Sequence, residues 1–262
     1  LATNQDELQA AEHKGATLRA QGIACQLLDA ERLHQAEPML RRGLSGALKV
    51  AGDCIVYAPN ASLWLLTQGG VRIRQRCEQV SAVEGNRVRL ADGSWLQAKV
   101  VVLANGVHAT DLCSELPIRP KKGHLLITDR YPGRIQHQLV ELGYAASAHA
   151  STGTSVAFNA QPRPTGQILL GSSRQFDSLS PEVEGAVLAR MLQRAIDYLP
   201  ELGQLNAIRS WTGFRAATPD GLPMIGAHPQ QPGLWLAVGH EGLGVTTAPG
   251  TAQLLAEQLL GE

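Results

Sequence analysis

The sequence predicts a mixed α/β fold in which a parallel sheet and an antiparallel sheet are built from interleaved stretches of one chain. Three patterns carry that expectation. Residues 99–103 form a β-branched apolar run without alternation, as expected of a strand buried on both faces of a parallel sheet. From Pro117 onward, strand-like runs at 125–128, 138–142, 155–159 and 167–171 follow one another at short, turn-separated intervals, which favours antiparallel pairing over further βαβ units. Finally, the apolar run 234–238, a glycine-rich turn and a helical pattern at 246–260 restore a strand–turn–helix order, with Leu254, Leu255 and Leu259 on one helical face.

Taken in order, residues 1–22 open with a helix signal. Asn4 is a cap, Glu7 is its capping-box partner and Gly22 is the stop. A short strand is predicted at 23–28, then a helix capped by Asp29 that ends before Pro38, because the residue preceding proline resists the helical conformation. Tyr57, Ala58 and Pro59 start a packing helix that runs to about Gln68. Strands are expected at 71–73, 77–83 and 87–90, the last separated from Trp95 and Leu96 by an Asp92-Gly93 hairpin turn. Ser180, Pro181 and Glu182 read as cap, first helical position and acidic first turn of an amphipathic helix. Its apolar face is Leu188, Met191, Leu192, Ala195, Ile196 and Leu199. Residues 207–214 form a strand that delivers Arg215 at or near its end, and Pro219, Asp220 and Gly221 turn the chain.

The 262 residues, 44% of them hydrophobic, suffice for a sizeable core in one large or two interleaved domains. Twenty-three basic residues balance 23 acidic ones, so no net field argues for nucleic acid or an anionic membrane surface. Apolar runs such as 100–104 are far too short to span a bilayer, and no charged segment followed by an apolar stretch opens the chain. A soluble, cytoplasmic protein is the expectation. The chain starts at Leu1 rather than Met, which implies processing, cleavage or an upstream segment. Cys25, Cys54, Cys77 and Cys113 lack CxxC or Cys/His metal spacing, so reduced thiols in or near a core, and no metal, are expected.

Two features bear on chemistry. A guanidinium such as that of Arg215 suits two-point capture of a carboxylate, although an ion pair within the protein uses the same geometry. The turn Gly239-His240-Glu241-Gly242-Leu243-Gly244 joins a strand to a helix N-terminus, where backbone N–H groups meet a negatively polarised ligand; such turns also serve packing alone.

WTGFRAATPDGLPMIG at 211–226, followed by LWLAVGHEGLGVTTAPGTAQLL at 234–255, resembles the C-terminal part of the FAD-dependent D-amino-acid oxidase superfamily, which includes glycine oxidase, sarcosine oxidase and D-amino-acid dehydrogenases. The resemblance extends through most of the chain in order. It implies a Rossmann-like FAD domain, N-terminally incomplete, interleaved with an antiparallel-sheet substrate domain. The expected division is 1–52 and 116–212 for the substrate domain, 53–115 and 213–262 for the FAD domain. It assigns the substrate carboxylate to Arg215 and the flavin's pyrimidine edge to His240, Gly242, Leu243, Gly244 and Val245. VVLANG resembles the element near the FAD diphosphate and ribose, which nominates Ala104, Asn105 and Gly106, and Val80 matches the strand position beside the adenine. PIRPKKGH resembles the segment passing along the isoalloxazine, so Gly123 and His124 are candidates, His124 also for a catalytic role; a histidine in a turn is otherwise an exposed or satisfied structural residue.

One motif is absent. Family members hold the pyrophosphate with a strand, G-x-G-x-x-G and a helix, and no G-x-G-x-x-G occurs in these 262 residues. Two readings follow. The first is most of a flavin-dependent enzyme that oxidises the C–N bond of a small amino acid or secondary amine, such as a D-amino acid, D-hydroxyproline, glycine or sarcosine. The second is a non-catalytic fragment or subunit that cannot retain FAD alone. The phrases VELGYAASAH at 140–149 and VAFNAQPRPTGQILLGSSRQF at 156–176 look most like a bacterial dehydrogenase branch, which implies partner subunits or a respiratory acceptor for the electrons.

Overall fold

A computed structural model describes residues 1–143 and 153–261, so part of the phrase at 140–149 lies outside the described residues. In chain order the elements are α1 (Gln5–Ala20), β1 (Cys25–Asp29), α2 (Ala30–Ala36), β2 (Gly46–Val50), α3 (Ala58–Gly69), β3 (Val80–Glu84), β4 (Arg87–Leu90), β5 (Trp95–Gln97) and β6 (Val101–Leu103). They continue with β7 (Arg119–Thr128), β8 (Leu139–Val140), β9 (Thr154–Pro162), β10 (Ile168–Phe176), α4 (Gly185–Tyr198), β11 (Ala207–Ala217), β12 (Met224–Ala227), β13 (Leu234–Val238) and α5 (Gly244–Leu260). They form two compact units. The first comprises Leu1–Ile55, Lys122–Phe176 and Ser180–Gly213; the second comprises Val56–Lys121, Asp177–Leu179 and Phe214–Glu262.

In the first unit, Asn4 caps α1 by accepting the Glu7 amide at 2.9 Å. The Glu7 carboxylate closes the box on Thr3 rather than Asn4, accepting the Thr3 amide at 2.6 Å. Asp29 caps α2 through the Arg32 amide at 2.8 Å, and β1 and β2 pair antiparallel. The main sheet has the order β11-β7-β10-β9-β8. Helix α4 buries Met191, Ala195 and Tyr198 in the core that also holds Phe158, Ile168 and Leu170. Below the helix, Glu141 (5% exposed) is fully employed. One oxygen accepts the Phe158 amide at 2.8 Å; the other accepts the Tyr198 hydroxyl at 2.9 Å and the Arg194 guanidinium. That is the expected solution for a buried carboxylate, since leaving it unpaired would cost several kcal/mol.

The structure corrects the start of α4, which begins at Gly185, not at Ser180-Pro181-Glu182. Tertiary bonds pull residues 180–184 away from helical geometry: the Pro181 carbonyl accepts the Thr212 hydroxyl, and the Glu184 amide donates to His124. Strand β7 begins at Arg119, so Gly123 and His124 lie inside a strand and not in a turn before one.

The second unit contains the antiparallel meander β3-β4-β5 and a sheet of order β12-β13-β6, in which β13 and β6 are parallel. The Asp92-Gly93 turn forms as expected, with Gly93 at φ +86°. Leu103, Leu234, Leu236 and Val238 meet Cys113, Leu116 and Ile118 in its core. Three expectations fail here. Residues 71–73 are not a strand: Gly70–Arg72 is a single 3-10 turn, entered through Gly70 at φ +53°, and residues 71–79 are exposed. Helix α3 forms with Pro59 in its first turn but buries none of its residues, leaving Leu63, Trp64 and Leu65 about 60% exposed. Strand β6 is buried on one face only, because Val102 is 42% exposed, and among the described residues its edge opposite β13 has no partner. The thiols also divide: Cys113 is buried and Cys25 half-buried, whereas Cys54 and Cys77 are exposed.

Candidate functional site

The second unit gathers most of the expected residues at the carboxyl ends of its two parallel strands. Leu103 pairs with Leu236, so Ala104, Asn105 and Gly106 after β6 and Gly239 and His240 after β13 leave the sheet on the same side. Open α/β sheets bind their ligands at this edge. Gly106 and Gly239 hold φ of +62° and +84°, conformations that favour glycine, and a Cβ at Gly239 would meet the Thr218 methyl at 2.7 Å. Asn105 folds its amide back onto the His108 carbonyl at 2.9 Å, which fixes the turn.

Helix α5 follows with Leu243 in the capping position, no side-chain cap and no acidic residue in its first turn. Gly242, Leu243, Val245 and Thr246 are exposed. The first amides of this helix therefore have no carboxylate or hydroxyl cap, and a polarised acceptor is the natural complement. Arg215, half-buried on β11, runs beside the turn: a Cβ at Gly242 would lie 3.7 Å from its Cδ and Nε. A guanidinium and an uncapped helix N-terminus thus converge on one glycine, and both favour anionic or carbonyl oxygen.

His240 does not face outward. Its Nε2 is 2.9 Å from the buried Thr251 hydroxyl on α5, and burial pushes its pKa below the ordinary histidine value. It ties the turn to the helix as a neutral imidazole. Val80 opens β3 opposite Leu90, half-buried.

Gly123 and His124 belong to the first unit. His124 is fully buried and its ring is saturated: Nε2 accepts the Glu184 amide at 3.1 Å, which leaves Nδ1 to donate to Ser173 Oγ at 2.8 Å. Burial first, and the neighbouring Lys122 second, lower its pKa. These contacts hold the His124 ring in a fixed orientation within the first unit.

One pair escaped sequence reasoning. Glu241, at the strained φ of +48°, is held by Lys121, only 3% exposed, at 2.9 Å. The bond spans 120 positions, so no local pattern announces it.

The residues present fit one side of FAD. The uncapped helix and the two glycine-containing strand ends suit its polar ring edge and ribose, whereas the G-x-G-x-x-G motif that cradles a pyrophosphate does not occur in the sequence.

Comparison with known proteins shows the family. The DAO family, described as FAD dependent oxidoreductase, matches residues 1–258. Glycine oxidase from Pseudomonas putida is 29% identical over 246 residues, covering 89% of this chain and 63% of that protein. D-amino acid dehydrogenase from Cereibacter sphaeroides is 31% identical over 274 residues, covering 98% of this chain and 59% of that protein. The chain thus spans about six tenths of the length of these relatives. The crystal structure of glycine oxidase from Geobacillus kaustophilus superposes with a TM-score of 0.85 at 25% identity, covering 100% of this chain and 70% of that one. Among the described residues, no helix is long and apolar enough to cross a membrane.

Proposed function

The chain belongs to the DAO family of FAD-dependent oxidoreductases, and from that premise we propose that it forms the larger part of an enzyme oxidising the C–N bond of a small amino acid or secondary amine. Glycine, sarcosine, a D-amino acid and D-hydroxyproline are the substrate types. The observation that carries this reading is the approach of Arg215 to Gly242, beside the uncapped start of α5. Arg215 binds the substrate carboxylate through two parallel N–H···O bonds, which fixes the orientation of the amine-bearing carbon. Gly239 and Gly242 would let the backbone come close to the flavin, and the N-terminus of α5 and the 104–106 turn would help to hold it. Lys121 keeps Glu241, and with it the turn, in place. FAD, when bound, supplies the two-electron oxidant. Electrons leave to oxygen, partner subunits or a respiratory acceptor.

The absent glycine cradle and the open edge of β6 favour a second reading, in which this chain alone retains no flavin and acts only as a subunit. Absorbance separates the two. Purified chain that is yellow, or turns yellow with added FAD, supports the first; a colourless chain that takes up none supports the second. With an artificial electron acceptor and the four substrate types, Arg215→Lys is expected to raise KM at least tenfold, because a point charge replaces a planar fork. Unchanged KM would remove Arg215 from the substrate site.

A further inference from the structure

At the opposite end of β13 the second unit places three metal-ligating side chains together. The ligand atoms of Cys113, Glu115 and His228 all lie within 4.8 Å of one another, with Cys113 and His228 buried and Glu115 exposed. Cys113 and Glu115 flank one turn, closed by the Leu116 amide on the Cys113 carbonyl. His228 is fixed to the start of β13, its amide donating to the Leu234 carbonyl at 2.8 Å. Since β13 has five residues, this cluster sits about 16 Å from the glycine turn and is independent of the flavin reading.

We propose that Cys113, Glu115 and His228 form a binding site for a divalent zinc-type ion, with a fourth position open to water. The donor set is thiolate, imidazole and carboxylate, which suits a borderline-soft ion and not magnesium or calcium. His228 Nε2 and Glu115 Oε1 are 3.2 Å apart. Tetrahedral zinc with bonds near 2.0–2.1 Å separates its nitrogen and oxygen ligands by about 3.3 Å, so these two already have the spacing. The Gln231 side-chain amide approaches Cys113 Sγ at 4.0 Å, the kind of outer contact that steadies a thiolate ligand. Ions enter from the Glu115 side.

Binding has a cost. The Gln230 amide donates to His228 Nδ1 at 3.2 Å, so Nε2 carries the ring proton that points to Glu115. When the metal takes Nε2, that proton moves to Nδ1, the Gln230 bond is given up, and the Cys113 thiol proton is released to solvent. Binding thus exchanges one neutral hydrogen bond and one thiol proton for bonds from three donor groups to the ion. Its effect would be to staple the 113–115 turn to the loop before β13.

The test uses the whole chain, reduced and stripped of metal, with exposed Cys54 and Cys77 changed to serine so that they do not contribute. Titration with cobalt(II) is expected to give one thiolate-to-cobalt charge-transfer band per chain, and zinc(II) to abolish it by displacement. Cys113→Ser should remove the band, and Glu115→Gln, at an exposed position that leaves folding intact, should weaken cobalt binding at least tenfold. The absence of a band, its survival in Cys113→Ser, or an unchanged affinity in Glu115→Gln would each overturn the proposal.

Discussion

The two units solve the same problem of burying apolar surface to different extents. In the first, α4 lies on the sheet with Met191 and Ala195 1% exposed, and the buried acid Glu141 has partners on both oxygens. In the second, among the described residues, α3 buries no residue, the parallel strand β6 exposes Val102 and an unpaired edge, and α5 starts without a side-chain cap. The difference is not one of sequence quality: α3 and β6 are as apolar as elements that bury themselves elsewhere. What differs, among the described residues, is the presence of a covering layer.

The largest expected effect lies in the closed unit. Glu141→Ala removes the acceptor of the Phe158 amide and of Tyr198 and leaves Arg194, itself 43% exposed, to water. A loss of about 2–4 kcal/mol in urea unfolding is expected, below the range for a fully buried pair because Arg194 regains solvent. A loss under 1 kcal/mol would mean that the network is not the closed structure described. Next comes a matched pair of truncations. Met191→Ala should cost about 2–4 kcal/mol through its cavity, while Leu65→Ala on α3 should fall within about 0.5 kcal/mol, as exposed substitutions do. A Leu65→Ala cost approaching that of Met191→Ala would erase the contrast between the units.

The same contrast explains what the sequence made legible. Cap chemistry located α1, and periodicity located α4, which buries Met191, Ala195 and Leu199 of its apolar face; β13 matches its expected bounds of 234–238. It failed for 71–73, where the β-branched residues have no strand to pair with, and for the start of α4, where local cap chemistry lost to Thr212 and His124. At the site, Arg215 and the glycine turn were legible because backbone and charge demands leave residue-type signatures. His124 was misplaced because a turn-like local sequence, Pro-Lys-Lys-Gly, lies within a ten-residue strand. Lys121–Glu241 and the Cys113, Glu115 and His228 cluster were invisible because each joins positions more than 100 residues apart.

The smallest effect distinguishes the units by pH. His124 in the first and His240 in the second both have folded-state pKa values lowered by burial, so each prefers to be neutral in the native state. The unfolded chain then binds more protons than the folded one below the ordinary histidine value of about 6.5, and stability must fall as pH drops through that point. Glu184 works in a lower window: hydrogen bonds from Lys122 and Gln175 depress its pKa, so its contribution is intact above about 4.5 and is lost as pH falls further. Thermal melts of the chain should therefore show a first decline in Tm below about pH 6.5 and a second below about pH 4.5. His240→Gln, which removes the titrating group and keeps a polar partner for Thr251, should flatten the first decline in part, leaving the share due to His124. If His240→Gln leaves the decline between pH 7 and 5.5 unaltered, the ring at 240 is protonated as readily in the folded chain as in the unfolded one. The turn it anchors is then open to water, and its amides are not held for a ligand.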